Sequence, residues 1–464
     1  MMDGKHPQPM VPAYGGGSLA DLPGALLAAL GVLTQEHVSN RQAALPTLRD
    51  DVTTPQAGVP SRQEDVPTLQ EGAPTGQEGA HARQEGPQSL GSSRIRQEGA
   101  PGEEGGRRRG ARDVAMPSAE DPLELAPADR ICLFLVDGLG DELLRAHADR
   151  APFLSSLTAK RLTAGFPATT VTSLCSLGTG LPPGEHGMLG LTLAVPGQRH
   201  LFNCLRWSLP RGLPPMDPAE WQPAETVYQR AARAGITAGY VGPAAFESTG
   251  LTEAVYRGVR YVPADTVEER VAGVKAMLAE PRAHVTVYHG DLDATGHLVG
   301  WGSPQWLDQL ELVDDMAARL AETLPSGSAL YVTADHGMVN AVEKIDAEAT
   351  PELSEGVAMF GGEARARHVY TEEGAAPAVL EAWREVLAGK AWVASRQEAV
   401  DSGWFGPGVR REWLARIGDL VAVPYTDCVI LASATHPIEA AFTGYHGSMT
   451  AAEQFVPLLE VSAR

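Results

Sequence analysis

Apolar runs of strand length alternate with helical segments from residue 129 to the carboxyl end of the chain. The clearest runs are RICLFLV, AGITAGYV, AHVTVYH and SALYVT, and amphipathic stretches such as DELLRAHADRAPFLSSL lie between them. Regular alternation of this kind is typical of parallel strands connected by helices. It predicts an α/β fold with a mainly parallel central sheet and helices on both faces.

Acidic residues follow three of these apolar runs. Asp137, Asp293 and Asp335 lie just beyond the predicted carboxyl ends of their strands. Ligands of open α/β sheets bind at that edge. The pattern therefore predicts a functional site where these three carboxylates meet.

The first 120 residues divide into two parts. In SLADLPGALLAAL, Ser18 is a plausible helix cap and the apolar positions have near-helical spacing, so residues 1–34 are expected to pack on the main domain. Residues 35–120 are rich in Gln, Glu, Gly, Pro, Ser and Arg, and the unit RQEG recurs there. Such a stretch has too little apolar surface to form a core, which predicts a disordered insert. Residues 121–464 form the main domain.

Composition narrows the classes of partner. Lys plus Arg number 37 and Asp plus Glu 58, which gives a net charge of −21 and a poor surface for binding DNA or RNA. The start MMDGKHPQPM lacks a charged leader with an apolar stretch, and no run reaches the about 18 apolar residues of a membrane span. We expect a cytoplasmic protein, and small phosphate esters are still compatible with this net charge through local cations. Arg107–Arg109 is a solvated charge run or, alternatively, a docking site for a protein partner.

The four cysteines are far apart and form no Cys-x-x-Cys pair. Neither a disulfide framework nor a thiolate metal site is indicated. Oxygen and imidazole ligands are the remaining candidates for binding a metal.

Asp137 is the first charged residue after the apolar strand Ile131 to Val136, and a glycine follows it. A carboxylate in this position can bind a cation, or it can cap the helix that follows.

The segment FPATTVTS precedes a helix predicted to begin near Thr170 and to stop at Gly178 and Gly180. Helix amino ends attract phosphate. A threonine hydroxyl is a weak nucleophile at neutral pH, so Thr170 would need divalent cations to activate it. The alternative is that Thr169, Thr170, Thr172 and Ser173 are capping residues.

Two further segments contain Asp and His together. In DLDATGH, Asp293 and His297 are four residues apart and can share one cation if the chain is helical between them. His289 and Asp291 are the nearby competitors. In TADHGM, the side chains of Asp335 and His336 can converge if the chain turns sharply at the next glycine.

Near the carboxyl end, GYHG offers His446 in a glycine-flanked loop, where a histidine has little packing reason to be. His436 is the runner-up. His186 also lies beside a glycine, but we expect it to be structural. Three carboxylates, three imidazoles and one hydroxyl can together hold two divalent cations, which predicts a two-metal phosphoryl-transfer site.

From about Arg130 onward the chain resembles the alkaline phosphatase superfamily, and within it the nucleotide pyrophosphatase/phosphodiesterase branch. The shared FPxxT segment and the downstream TGL-x-P run place the threonine at Thr170. The resemblance implies an alkaline-phosphatase-like catalytic domain with two zinc ions, for which manganese is an alternative. One set of ligands would be Asp137, Thr170, Asp335 and His336. The other would be Asp293, His297 and His446.

The chain departs from that branch just after the nucleophile. The family commonly has Thr-Phe-Pro-Asn there, whereas this chain has Thr170-Val171-Thr172-Ser173. The aromatic residue that flanks a nucleobase is absent, and so is the Asn that supports a phosphate oxygen. We hypothesise that Ser173 donates a hydrogen bond to the substrate from the Asn position.

The predicted function is hydrolysis of a phosphodiester or pyrophosphate through a phospho-threonine intermediate. A phosphomonoesterase or a phosphonate hydrolase with the same site is the alternative, because such enzymes differ mainly in how they recognise the rest of the substrate. A non-catalytic binding protein on this scaffold is a second alternative.

Overall fold

A computed structural model describes residues 7–32 and 123–463. The predicted disordered insert at 35–120, including Arg107–Arg109, lies outside these residues. Throughout the described part, strands and helices alternate as the apolar pattern indicates.

Seventeen strands occur in the described residues. In chain order they are β1 (Arg130–Val136), β2 (Thr158–Thr163), β3 (Thr192–Ala194), β4 (Leu201–Asn203), β5 (Thr237–Gly242), β6 (Arg260–Pro263), β7 (Ala283–His289), β8 (Ser328–Thr333), β9 (Val339–Asn340), β10 (Glu343–Asp346), β11 (Val357–Glu363), β12 (Ala366–Thr371), β13 (Ala391–Ser395), β14 (Leu420–Pro424), β15 (Cys428–Leu431), β16 (Gly444–Tyr445) and β17 (Phe455–Ala463).

The α-helices of the described residues range from single turns to more than five turns. In chain order they are α1 (Leu22–Ala29), α2 (Asp141–Ala146), α3 (Pro152–Ser156), α4 (Thr170–Thr179), α5 (Pro183–His186), α6 (Pro218–Trp221), α7 (Val227–Arg233), α8 (Gly250–Val255), α9 (Val267–Met277), α10 (Asp291–Val299), α11 (Pro304–Glu322), α12 (Pro351–Ser354), α13 (Ala376–Val386), α14 (Arg396–Asp401) and α15 (Ala451–Gln454). Short 3-10 helices span Ala244–Phe246, Arg411–Arg416 and Pro437–Ala441.

The central sheet has seven strands in the order β2-β17-β8-β1-β7-β5-β6. Strands β8, β1, β7, β5 and β6 run parallel to one another, and β17 is antiparallel to both β8 and β2. The α/β fold with a mainly parallel sheet and helices on both faces is thus confirmed, with β17 as the one strand of opposite direction. The middle strands β1 and β7 are almost wholly buried, which explains their uninterrupted apolar sequences.

A second sheet, β11-β12-β14-β13, is antiparallel. Helix α13 packs beside it and contributes Val379 and Trp383 to a small core of its own. Alternation of strands and helices did not indicate this sheet, because α13 separates β12 from β13 and α14 separates β13 from β14. Such spacing favours parallel strands, whereas these strands pair antiparallel.

The amino-terminal segment enters the main core through its leucines. Leu22, Leu26 and Leu27 are buried in the cluster that also contains the strands of the central sheet. The expected cap is wrong, because α1 begins at Leu22 after Asp21, and Ser18 instead forms a bridge with Thr163 of β2. Pro23 fits the first turn of a helix, where its missing N–H costs nothing.

Within residues 7–32 and 123–463, every helix is too short or too polar to cross a membrane.

Candidate metal centre

Three neighbouring strands of the central sheet deliver the predicted carboxylates. Asp137 directly follows β1, Asp335 follows β8 by two residues, and α10 with Asp293 follows β7. Strands β8, β1 and β7 are adjacent and parallel, so their carboxyl ends meet at one edge of the sheet. The structure therefore brings these acids together from widely separated positions in the sequence.

The first cluster comprises Asp293, His297 and His446, and we call it the Asp293 cluster. Because α10 is helical between them, Asp293 and His297 share one face, with Nε2 of His297 3.3 Å from Oδ2 of Asp293. Nε2 of His446 lies 3.2 Å from Nε2 of His297 and 3.9 Å from Oδ1 of Asp293. Their potential ligand atoms lie within 4.8 Å of one another, close enough to bind a single ion.

The second cluster comprises Asp137, Thr170, Asp335 and His336, and we call it the Asp137 cluster. Nε2 of His336 is 3.4 Å from Oδ1 of Asp137, 3.4 Å from Oδ2 of Asp335 and 3.3 Å from Oγ1 of Thr170. The Thr170 hydroxyl also points to Oδ2 of Asp137, at 3.5 Å. The other three side chains therefore converge on the Nε2 atom of His336.

The two clusters adjoin each other. The rings of His336 and His446 are stacked with centroids 3.6 Å apart. Asp293 also has an oxygen within 4.8 Å of ligand atoms of Asp137 and His336, so it can bridge the two clusters.

Each of the three histidines directs Nδ1 at a main-chain oxygen. The pairs are His297 with Gly444 at 2.8 Å, His336 with Gly337 at 3.0 Å and His446 with Ala168 at 2.9 Å. A carbonyl oxygen only accepts, so each Nδ1 carries the proton, and in a neutral ring Nε2 is left with a lone pair. Such outer contacts are typical of histidines that bind metals.

When both rings are neutral, the geometry between His297 and His446 places two lone pairs against each other. Burial lowers the pKa of His446 well below its usual range, and protonation of His336 or His297 would lower it further, so the His446 ring is neutral. A cation between the two Nε2 atoms would convert this repulsion into two favourable contacts.

The three carboxyl groups of the two clusters also lie close to one another in a buried place. Burial raises the pKa of Asp137 well above its usual range, and the charges of Asp335 and Asp293 raise it further. One oxygen on each of these acids is buried without a hydrogen-bond partner among the described residues: Oδ1 of Asp137, Oδ1 of Asp293 and Oδ2 of Asp335. Carboxyl oxygens without hydrogen-bond partners, together with imidazole nitrogens, fit divalent cations well, since a bound cation favours the deprotonated form of each acid.

Tyr288 is a member of the site that the sequence analysis missed. Its hydroxyl donates to Oδ2 of Asp137 at 2.5 Å, from a side chain that is 7 % exposed. The only signal for it was a polar atom near the carboxyl end of an apolar strand.

Helix α4 begins at Thr170, as predicted, and ends at Gly180, whose φ of 73° suits glycine. Thr170 is partly exposed, whereas the preceding threonine, Thr169, is 2 % exposed. The structure brings Thr170, and not Thr169, to the Asp137 cluster. Its role as the nucleophile stays a prediction.

The hypothesis for Ser173 does not fit the geometry. Its side chain is fully buried and its hydroxyl donates to the main-chain oxygen of Asp335 at 2.7 Å. Since a serine has one hydroxyl proton, Ser173 is not placed to donate to a substrate. Its contact instead fixes the segment that carries Asp335 and His336.

The competing residues lie outside both clusters. His289 is buried against Arg270 at 2.6 Å, and His436 contacts the main-chain oxygen of Phe360 at 2.9 Å. Asp291 is exposed at the start of α10. His186 bonds to Ser176 at 3.0 Å inside the core, as expected for a structural residue.

A mainly parallel sheet whose carboxyl edge gathers aspartates, histidines and a helix-opening threonine is the arrangement of a phosphoesterase-type hydrolase. The chain belongs to the type I phosphodiesterase / nucleotide pyrophosphatase family, whose model matches residues 131–449. The predicted family is thereby confirmed. A search of curated protein sequences finds no match.

Solved structures share the fold at low sequence identity. Murine ectonucleotide pyrophosphatase/phosphodiesterase 5 is 18% identical with a TM-score of 0.57, over 71% of this chain and 87% of that one. The human protein of the same name is 19% identical with a TM-score of 0.56, over 72% and 87%. Phosphonoacetate hydrolase from Sinorhizobium meliloti is 19% identical with a TM-score of 0.55, over 72% and 90%. These similarities show that the proteins share a fold.

Proposed function

We propose that the chain is a two-metal hydrolase that cleaves a small phosphodiester or pyrophosphate through a phospho-threonine intermediate. One observation carries the proposal: imidazole nitrogens and carboxyl oxygens without hydrogen-bond partners gather in two adjoining clusters, one of which contains the hydroxyl of Thr170. This combination has no evident structural purpose, because it concentrates repulsion in a buried place.

Each of the two clusters supplies the ligands of one proposed cation. The Asp293 cluster would hold one cation, and the Asp137 cluster, including the Thr170 oxygen, would hold the other. Divalent cations in such sites lower the pKa of a bound hydroxyl and neutralise the charge on a phosphoryl group. We propose zinc, with manganese as the alternative.

The residues around Thr170 suit an attack on phosphorus. Its hydroxyl already points to an acceptor, Oδ2 of Asp137. It opens a helix of ten residues whose capping residue, Thr169, accepts no side-chain hydrogen bond from the first turn. The free N–H groups of that turn would therefore be available to phosphate oxygens.

The chemistry takes two displacements. The Thr170 oxygen forms a bond to phosphorus while the bond to the ester oxygen breaks, and the leaving alcohol takes up a proton. Water then attacks the same phosphorus, which releases the phosphate product and restores the threonine hydroxyl. A murine relative described as inactive carries an alanine in place of a threonine and was solved in complex with AMP, which supports a catalytic threonine here.

We test the nucleophile and one ligand with Thr170→Ala and Asp335→Ala, using bis-p-nitrophenyl phosphate. Each change should lower turnover by about a thousandfold or more at an unchanged melting temperature. Thr179→Val is the matched control. The Thr179 hydroxyl is buried at the far end of the same helix and donates to the main-chain oxygen of Cys175. Substantial turnover by Thr170→Ala would refute the proposal.

A phosphonate hydrolase or phosphomonoesterase is the second candidate. The residue after Thr170 is Val171, which is fully buried in the core and cannot flank a nucleobase. A panel of monoesters, diesters and phosphonates separates these functions. Absence of bound metal after gentle purification, together with no turnover of any ester, would favour the non-catalytic binding protein.

A further inference from the structure

The loop after β5 carries an exposed aromatic side chain beside the metal centre. Phe246 is 43 % exposed, and no other phenylalanine, tyrosine or tryptophan of the described residues is exposed. Strand β5 pairs in parallel with β7, so the loop that follows β5 lies at the same edge of the sheet as the proposed ligands. Neither the family match nor the predicted ligand set gives Phe246 a role.

Phe246 packs against the tyrosine that contacts a proposed metal ligand. The ring centroids of Phe246 and Tyr288 are 6.2 Å apart and their planes are inclined by 58°, an arrangement that aromatic pairs favour. The hydroxyl of Tyr288 donates to Oδ2 of Asp137 at 2.5 Å. Phe246 therefore lies one side chain away from the Asp137 cluster, and Tyr288 leaves much of the Phe246 ring uncovered.

Hydrogen bonds hold the main chain of this loop in place. The N–H of Ala244 donates to Oδ1 of Asp265 at 2.9 Å, and the main-chain oxygen of Phe246 accepts from the hydroxyl of Thr252 at 2.8 Å. Exposure of an apolar ring to water is unfavourable. The loop is nevertheless fixed in a conformation in which the Phe246 ring faces solvent.

Backbone strain occurs in the same part of the surface. Ser248 and Trp207, with φ of 58° and 51°, are the two residues other than glycine that have a positive φ in the described part of the chain. They belong to neighbouring segments, because the Trp207 ring packs so closely on Gly250 that an added Cβ there would collide with it. Conformations of this kind persist where the surroundings impose them, and they cluster at ligand-binding sites.

We infer that Phe246 is a specificity-determining residue that packs against an aromatic group esterified to the phosphorus of the substrate. The inference rests on the proposed function, since it names the class of substrate for that site. A phosphate bound at the Asp137 cluster would lie near Tyr288, and an aryl group attached to it would reach the uncovered face of Phe246. The residue after Thr170, Val171, is fully buried and cannot make this contact.

The test compares the binding of phenylphosphonate and methylphosphonate, which carry the same phosphonate group and differ in the apolar group. Calorimetry gives the dissociation constant of each for the zinc-loaded protein. The wild-type protein should bind phenylphosphonate about tenfold more tightly than methylphosphonate, because the phenyl ring packs on Phe246. Phe246→Ala should lose most of this preference, and Phe246→Tyr should keep it.

Leu312→Ala is the matched control, since Leu312 is 36 % exposed on α11, a helix that carries no residue of either cluster. The inference is overturned if Phe246→Ala keeps the preference for phenylphosphonate as Leu312→Ala does. It is also overturned if the wild-type protein binds cyclohexylphosphonate, which is similar in size but not planar, as tightly as phenylphosphonate.

These affinities do not depend on turnover, so the inference and the proposed function fail separately. Retained turnover in Thr170→Ala would refute the proposed nucleophile and leave the preference for phenylphosphonate unchanged.

Discussion

At the scale of single residues, Tyr288 is the contact that most directly affects a proposed ligand. Its hydroxyl donates to Asp137, whose other oxygen has no partner among the described residues. Tyr288→Phe should lower zinc affinity by about tenfold, because it frees Asp137 to rotate. Chelator competition provides the measurement.

Tyr261→Phe is the control for this change, since Tyr261 likewise donates one hydrogen bond, to the main-chain oxygen of Pro243 at 2.6 Å. Equal zinc affinity in the two variants would mean that Tyr288 does not orient Asp137.

Residue types and spacing were enough to select Asp137, Asp293 and Asp335, because each follows an apolar strand that the sheet aligns with the others. They could not select Tyr288. A tyrosine in a strand is ordinary in sequence, and only its tertiary contact with Asp137 distinguishes it. Ser173 was misjudged for the same reason, since its partner lies 162 residues away.

At the scale of elements, the turn after β1 must fit closely against α10. Gly138 has a φ of +75°, and a Cβ there would lie 3.0 Å from Cβ of Asp293. Gly138→Ala should therefore displace Asp293 and lower both zinc affinity and turnover by about tenfold or more. Turnover and chelator competition together check this.

Gly389→Ala is the control that separates the displacement of Asp293 from the effect of backbone strain. Gly389 has a φ of +78° with nothing within 4 Å of its Cβ position, so both variants carry a left-handed alanine and only one meets a ligand. Each should lose about 1 to 2 kcal/mol of stability. If Gly138→Ala kept full zinc affinity, the proposed fit of α10 against this turn would be wrong.

The elements that could be predicted are those with a strong local signal. The apolar strands β1, β7 and β8 and the helix from Thr170 follow from their sequences. The second sheet does not, because helices separate β12, β13 and β14 along the chain as they would in a parallel sheet, although these strands pair antiparallel. The predicted cap of α1 was three residues too early, because Ser18 and Asp21 are both residue types that commonly cap helices. Pro23 fits the first turn of a helix that begins at Leu22 and would disrupt the interior of one that began after Ser18.

At the scale of the whole molecule, buried histidines should make the protein sensitive to acid. Burial lowers the pKa of His284 from 6.5 to about 4, and both of its ring nitrogens lack a partner among the described residues. Below pH 6.5 the unfolded chain takes up a proton that the folded protein does not, so the free energy of unfolding falls as the pH drops from about 6.5 to about 4. His186 and His368 act in the same direction.

His284→Phe should flatten this dependence and raise stability most at the acidic end. The ring is stacked on Tyr228 at 5.4 Å, a contact that phenylalanine can preserve. Denaturant unfolding at a series of pH values measures the slope. An unchanged slope in the variant would show that His284 does not titrate as its burial indicates.

The central claim is that seven side chains bind two cations beside the hydroxyl of Thr170. Its most direct test is anomalous X-ray scattering at the zinc edge from crystals of the zinc-loaded protein. We expect two peaks, one among Asp293, His297 and His446 and the other among Asp137, Asp335, His336 and the Thr170 oxygen. Peaks elsewhere, or no peak at either cluster, would contradict the account.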